Sequence, residues 1–417
     1  MKKNASVLDM IWLNMYWVGL SFMWNSLHPI ILPAVLINYV PDNQKNTYLG
    51  LLTFTGLIIA AIVQPVAGAI SDGWRSRFGR RRPFIVIGTV FDLVFLAILG
   101  WAGGLFWLFV GYLCLQFSSN IAHGAAQGLL PDRLKKKQLG IGSGIKTFMD
   151  MLSVITASLV AGNLLDPSGR NPSLVILVVM VLLTVSLIIT VGGTHEEPTD
   201  HHETQLSSRP PFWKNMREQF HIDFRANTSY WWLILERFII LLGIYGLQQF
   251  VQYYIGDVLQ VENPVKTTGN LMASLAIGLV FLSLLGGWLT DRFGAKRLLV
   301  ISSILIALGC LLLPLARSEA TLTLIGSLVG AGLGIFLTAN WTLATKLAPA
   351  GEAGKYLGLT NIATAGSAAL GRLWGPALDW LNNSWPGMWY GYTCMFLFGA
   401  VFALLSIPIL RKVKEIH

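Results

Sequence analysis

Gly68-Ala69-Ile70-Ser71-Asp72-Gly73-Trp74-Arg75-Ser76-Arg77-Phe78-Gly79-Arg80-Arg81-Arg82 and, 219 residues further on, Gly287-Trp288-Leu289-Thr290-Asp291-Arg292-Phe293-Gly294-Ala295-Lys296-Arg297 carry one short pattern twice. Each copy follows an apolar run of membrane length and precedes another. An Asp closes each leading run, and a tight basic turn of Arg, Phe and Gly follows. One copy per half marks a duplicated membrane protein whose halves move against each other.

Composition agrees with a lipid solvent. Charged residues make up 12% of the 417 and apolar residues 54%, where a soluble domain carries about 25% charge. Around the quoted loops, runs of about 20 apolar residues recur. They predict twelve spans, at 9–39, 47–72, 83–103, 105–131, 140–165, 173–193, 229–256, 267–290, 297–316, 319–347, 356–380 and 388–410. The fold class is therefore all-α: twelve transmembrane helices in two six-helix pseudo-repeats. Residues 1–193 form the N-terminal bundle, 194–228 a polar cytoplasmic linker and 229–417 the C-terminal bundle. Residues 211–222 of the linker could lie as an amphipathic helix on the membrane surface. The Met1-Lys2-Lys3 start imitates a signal peptide, but the run behind it is too long and lacks a small-residue cleavage site, so it reads as span 1.

Lys and Arg placement sets the orientation. With the N-terminus in the cytoplasm, 23 of the 30 basic residues fall in cytoplasmic segments. Only Lys45, Arg170, Lys266 and Arg317 fall outside, and Lys146, Arg237 and Arg372 lie within or at the ends of spans. Both termini are thus expected in the cytoplasm. The net charge of +9 is topological and calls for no nucleic acid.

Polar faces recur on corresponding spans. At 100° per residue, Asn14, Ser21, Asn25 and His28 share a narrow face of span 1, flanked by Trp17 and Trp24. Gln116, Asn120, His123 and Gln127 do so on span 4, and Tyr245, Gln248, Gln249 and Gln252 on span 7. Span 10 offers Thr338, Trp341, Thr342 and Thr345, while spans 6, 9 and 12 are almost purely apolar supports. An isolated amide in a span is usually interhelical glue. Four coincident faces read better as a wet cavity, and parallel-repeat transporters place their site near the midplane. Groups that both donate and accept, beside aromatic faces, suit a neutral polyhydroxy substrate. Asn25, His28, Gln116, Asn120, His123, Gln127, Tyr245, Gln248, Gln252, Trp341 and Arg372 are the expected substrate contacts.

Charges inside spans are rare and usually functional. Asp92 lies mid-span 3, as a proton site or a partner to a neighbour. Lys146 and Asp150, spaced i, i+4 on span 5, read first as a local ion pair. Glu236 and Arg237 point in different directions from span 7, so each needs its own partner. Asn361, Arg372 and Asp379 fall on one face of span 11. In the repeated loops, Asp72 with Arg77 and Arg81, and Asp291 with Arg292, can form a charge-assisted inner gate or act only as a topological stop. Neither a nucleophile–base set nor a metal-ligand spacing appears, so no enzyme, metal or cofactor is expected. Cys114, Cys310 and Cys394 read as packing residues. His195, His201 and His202 read as part of a solvated linker. The glycine runs 140–144 and 330–334 read as close helix packing rather than phosphate loops.

The basic loops resemble those of major facilitator superfamily transporters. The extended form from Ser71-Asp72 through Arg77 and Gly79-Arg80-Arg81-Arg82-Pro83-Phe84-Ile85, with Leu129-Leu130-Pro131-Asp132 and Gly140-x-x-Ser143-Gly144, is similar to that of the sucrose:proton symporters and the neighbouring glycoside-pentoside-hexuronide group. The resemblance implies a monomeric transporter in the cell (inner) membrane that takes up a sugar or glycoside with protons. In plant sucrose symporters span 4 carries an Asp, an Asn four residues on and an Arg; here Asn120 matches the Asn, while Gln116 and Gln127 stand where the carboxylate and the guanidinium would be. Proton coupling would then fall to Glu236, His123, Asp92 or Asp150, of which His123 has a side chain that ordinarily titrates near neutral pH, or be absent. Export of drugs or metabolites and a non-transporting role in membrane assembly are the alternatives.

Overall fold

The structure, a computed structural model, describes residues 5–194, 227–349 and 353–414. Most of the linker, with its three histidines and the helix expected at 211–222, lies outside the described residues. The chain is all-α, and eleven helices among the described residues are long and apolar enough to cross a membrane. They are α1 Val7–Leu36, α2 Asp42–Gly73, α3 Arg82–Trp101, α4 Leu105–Arg133, α5 Leu139–Leu164, α6 Ser173–Gly193, α7 Thr228–Leu259, α8 Pro264–Phe293, α9 Ala295–Leu315, α10 Glu319–Leu347 and α12 Tyr390–Arg411.

The remaining span, expected as one run over 356–380, is two helices, α11a Ala353–Gly371 and α11b Trp374–Ser384. Pro376 accounts for the break. It has no N–H to donate, and its ring would meet the carbonyl of Arg372 in a continuous helix. The chain turns there through short bonds, Arg372 N–H to the Ala369 carbonyl at 3.1 Å and Leu373 N–H to that of Leu370 at 3.0 Å. The face expected to unite Asn361, Arg372 and Asp379 is therefore interrupted. Prolines shape α1 as well. Pro29 lies within a π turn at Leu27–Ile31 and Pro33 just after it, the turn closed by Leu32 N–H on the Leu27 carbonyl. Such a turn is a frequent mark of a functional segment, and it carries His28.

Two compact units emerge, one of residues 1–40 and 55–209, the other of 41–54 and 210–417. In the first unit α1 packs on α5 and α6, and α3 on α4 and α6. In the second, α7 packs on α11a and α12, and α9 on α10 and α12. The same pairs recur six helices on, as a parallel repeat requires. Close packing follows small residues. A Cβ on Gly124 of α4 would run into the Gln64 carbonyl of α2. In the second unit, Cβ atoms on Gly330 and Gly334 of α10 would meet the Leu275 and Leu279 carbonyls of α8. The 330–334 glycines thus pack as expected. In 140–144 only Gly142 is crowded, by Leu134, while Gly140 and Gly144 are open. The two basic turns share one backbone device: Gly79 and Gly294 take φ of 92° and 85°, conformations that glycine adopts without strain.

Candidate functional site

In the first unit, α1, α4 and α5 line an open cavity of about 580 Å³. Trp17, Ser21, Trp24 and Asn25 of α1 line it, with His123 and Gln127 of α4, and Ser143, Lys146 and Asp150 of α5. One turn separates His123 from Gln127, and their side chains meet at 3.2 Å. Trp17 stands edge-on to His123, 5.0 Å between centroids. Asn25 donates to the Ser21 carbonyl at 2.8 Å, which holds its amide along the helix. Asp150 accepts from Ser21 Oγ and from Lys146 Nζ, both at 2.7 Å. The local ion pair expected of Lys146 and Asp150 is present, and it also forms part of the cavity wall.

Trp24 connects this cavity to a buried polar chain. Its indole stacks on His28 at 4.9 Å. His28 Nε2 meets the Tyr112 hydroxyl at 3.0 Å, which accepts from Gln116 Nε2 at 2.8 Å. Asn120 in turn donates to the Gln116 carbonyl at 2.7 Å and to its Oε1 at 3.2 Å. The four residues on α4 thus divide: His123 and Gln127 line the cavity, whereas Gln116 and Asn120 are buried in a ladder against α1. Asn14 is buried too, donating to the carbonyls of Met10 and Gly142 at 2.8 and 3.1 Å, so it ties α1 to α5. Asp92 is fully buried and accepts from Ser118 of α4. Its other oxygen is buried with no hydrogen-bond partner among the described residues, and Asp92 is not among the residues lining the cavity.

The second unit holds a charged cluster. Glu236 and Arg237, expected to need separate partners, share one. Asn340 of α10 donates through Nδ2 to Glu236 at 2.9 Å and accepts through Oδ1 from Arg237 at 2.8 Å. Arg237 Nε donates to Thr364 of α11a at 3.0 Å. A primary amide has both faces to offer, so one Asn satisfies two opposite charges that diverge on α7. Glu236 Oε1 is buried with no hydrogen-bond partner among the described residues. Tyr245 and Gln248 are half-buried, Gln252 is buried and Trp341 is exposed. Arg372, in the α11 break, donates to the Ala368 carbonyl of α11a at 2.5 Å.

Asp379 finds its partners on α2. After a 3-10 turn at Asp42–Gln44 the α-helical part of α2 begins at Lys45, and the Asp379 carboxylate caps its first turn, accepting from Thr47 N–H at 2.7 Å and Asn46 Nδ2 at 2.8 Å, with Asn46 N–H at 3.4 Å. Beside it, Asp257 in the π turn ending α7 accepts from Lys45 Nζ and the Tyr392 hydroxyl, both at 2.7 Å. First-turn N–H groups have no partner within their own helix, and the α11 break brings a carboxylate to them.

The two repeated loops differ in their bonding. Arg81 is buried and binds Asp72, Ser71 Oγ at 2.6 Å and Asp132 at 3.0 Å, and Arg80 also pairs with Asp132. Arg77 lies exposed over the Phe78 ring instead of on Asp72. Asp291 makes no ion pair among the described residues, and Arg292 lies 5.3 Å from the Trp288 ring centroid. Sequence reasoning missed Tyr112, Asn340 and Asp132 as partners. Tyr112 lies one turn before Gln116 and so falls on the face counted on span 4, whereas Asn340 lies on the side of span 10 opposite Thr338, Trp341, Thr342 and Thr345 at 100° per residue.

The family described as MFS/sugar transport protein matches residues 22–371. The multi-drug resistance efflux pump PmrA of Streptococcus pneumoniae is 23% identical, with 98% of each chain covered. The uncharacterized symporter YnaJ of Bacillus subtilis is 31% identical over 72% of this chain and 66% of its own. The sucrose transport protein SUC4 of Arabidopsis thaliana is 27% identical over 27% of this chain and 25% of its own. Among solved structures, the nucleoside transporter NupG superposes with a TM-score of 0.72 at 13% identity, covering 99% of this chain and 100% of that one. A D-xylose-proton symporter reaches 0.70 at 16% identity, with 99% and 100% covered.

Proposed function

The chain belongs to the MFS/sugar transport protein family, a family of multi-pass membrane transporters, and on that premise we propose that it takes up a neutral sugar or glycoside together with protons by alternating access. The observation that carries this reading is the cavity wall of the first unit. Trp17 and Trp24 offer indole surface beside Asn25, His123 and Gln127, whose groups donate and accept. A sugar ring has apolar C–H faces and a girdle of hydroxyls, and this wall matches both. Within this reading, His28, Gln116 and Asn120 hold the wall in place through Tyr112. Tyr245, Gln248, Gln252, Trp341 and Arg372 are proposed contacts from the second half. The closer kinship to the glycoside-pentoside-hexuronide group and the sucrose symporters belongs to the proposal as well.

Coupling is assigned to Glu236, with His123 as the alternative. Glu236 has one oxygen held by Asn340 and one open to a proton, and Arg237 on the same amide would register a change of its charge. Asp150 spends both oxygens on Ser21 and Lys146; Asp92 keeps one oxygen without a partner among the described residues, as Glu236 does, but its donor Ser118 is shared with no cation, so both come after these two. The Asp72–Arg81–Asp132 cluster is proposed as part of the inner gate, with Asp291 and Arg292 as its weaker counterpart. The basic-residue bias supports placing both termini and the linker on the cytoplasmic side; a monomer in the cell (inner) membrane completes the proposal.

A thermal-shift screen of mono- and disaccharides on the purified protein tests the substrate class. At least one neutral sugar should stabilise the wild type, and Trp24→Ala should lose that shift. Stabilisation by lipophilic cations and by no sugar would favour the second reading, drug export, which the full-length similarity to PmrA motivates.

A further inference from the structure

Two formal charges stand in the cavity wall among the residues that line it, Lys146 and Asp150, one turn apart on α5. Both are fixed from several sides. Asp150 uses one oxygen for Ser21 Oγ and the other for Lys146 Nζ. The Lys146 ammonium also lies 3.8 Å from the Trp17 ring centroid, a cation–π contact with a buried indole. The pair therefore presents hydrogen-bonding atoms to the cavity while its net charge is zero.

We propose that this compensated pair sets the charge class of the substrate, so that the cavity accepts neutral glycosides and turns away both uronides and amino sugars. The inference rests on the sugar reading above and names the feature that narrows it. A charged ligand loses hydration on entering and finds each fixed charge already matched, so nothing in the wall offsets its desolvation. Removing one partner changes this. Without the Asp150 carboxylate the Lys146 ammonium becomes an uncompensated cation, and without Lys146 the carboxylate becomes an uncompensated anion. At an effective dielectric of about 20, a bare unit charge within several ångströms of a ligand charge is worth at least about tenfold in affinity. Trp17, His123 and Asn25 remain in place in either case, so the sugar ring keeps its platform while the preferred substituent changes.

The test uses the purified full-length protein as wild type, Asp150→Asn, Lys146→Met and the double variant. Binding is measured by calorimetry for the methyl glycosides of glucose and galactose, and for the uronide and 2-amino counterpart of each. The wild type should prefer the neutral glycosides. Asp150→Asn should shift the uronide-to-neutral affinity ratio upward by about tenfold or more. Lys146→Met should do the same for the amino sugar, and the double variant should return to the neutral preference. If Lys146→Met does not fold, Asp150→Asn decides alone, being closest in shape to the residue it replaces. Single variants that bind neutral glycosides in the wild-type order, or that lose them with no gain of a charged counterpart, overturn the charge selection and leave the sugar reading standing. Binding of none of the panel by the wild type overturns both.

Discussion

Asp379→Ala removes the carboxylate that caps α2, and its cost can be worked out from the bonds lost. The two short bonds, from Thr47 N–H and Asn46 Nδ2, involve a charged acceptor, for which about 1.5–3 kcal/mol each is typical. The bond from Asn46 N–H at 3.4 Å is too long to add much. Thr47 is half-buried, so water recovers part of its bond when the carboxylate goes, whereas Asn46 is 1% exposed and recovers little. The net loss should be about 3 kcal/mol. That exceeds the roughly 0.6 kcal/mol average of an interhelical hydrogen bond in a membrane, so the measured size separates a helix cap from ordinary glue. Unfolding in mixed micelles gives the free energies for Asp379→Ala, Asn46→Ala and the double variant. The coupling between the two sites should be about 1–2 kcal/mol, with the remainder of the Asp379 effect surviving in the Asn46→Ala background as the backbone cap. A loss below about 0.6 kcal/mol, or strict additivity of the two changes, would refute the reasoning.

Asn340→Ala should cost about 2–4 kcal/mol, because it strands a charge on each side of the amide it deletes, and it should abolish sugar-driven proton uptake; a thermal midpoint within a degree of wild type would contradict the shared-partner account. Gly124→Leu should force α2 from α4 and cost about 1–3 kcal/mol by overpacking, read in the same unfolding assay; an unperturbed variant would mean the close approach at Gln64 is not structural.

The spans themselves are legible because lipid imposes length and apolarity on every crossing helix, and the R-F-G turn is legible because its glycine must adopt positive φ. Pro376 marks a break, but the apolar run over 356–380 is long enough for a single span, and the Asp379 cap depends on Asn46 and Thr47, more than 300 residues away in sequence. Angular position along a helix identified His123, Gln127 and Asn25 as cavity residues but could not say which of their neighbours would be covered by another helix. That is why Gln116 and Asn120 share their face and yet lie buried against Tyr112 and His28. The pairing of Glu236 and Arg237 through Asn340 needed a third helix at a known register. Local spacing carried the Lys146–Asp150 pair because both residues sit on one helix.

Proton-coupled sugar uptake is tested most directly in proteoliposomes, by following proton entry on addition of a sugar found to bind and sugar accumulation under an imposed pH gradient. The wild type should accumulate the sugar against its own gradient with matching proton entry. Glu236→Gln should still bind and exchange sugar but fail to concentrate it, with His123→Gln as the parallel test of the alternative group. Sugar accumulation that persists under a pH gradient in both variants would remove these residues from coupling, and a wild type that moves sugar with no proton entry would contradict the account.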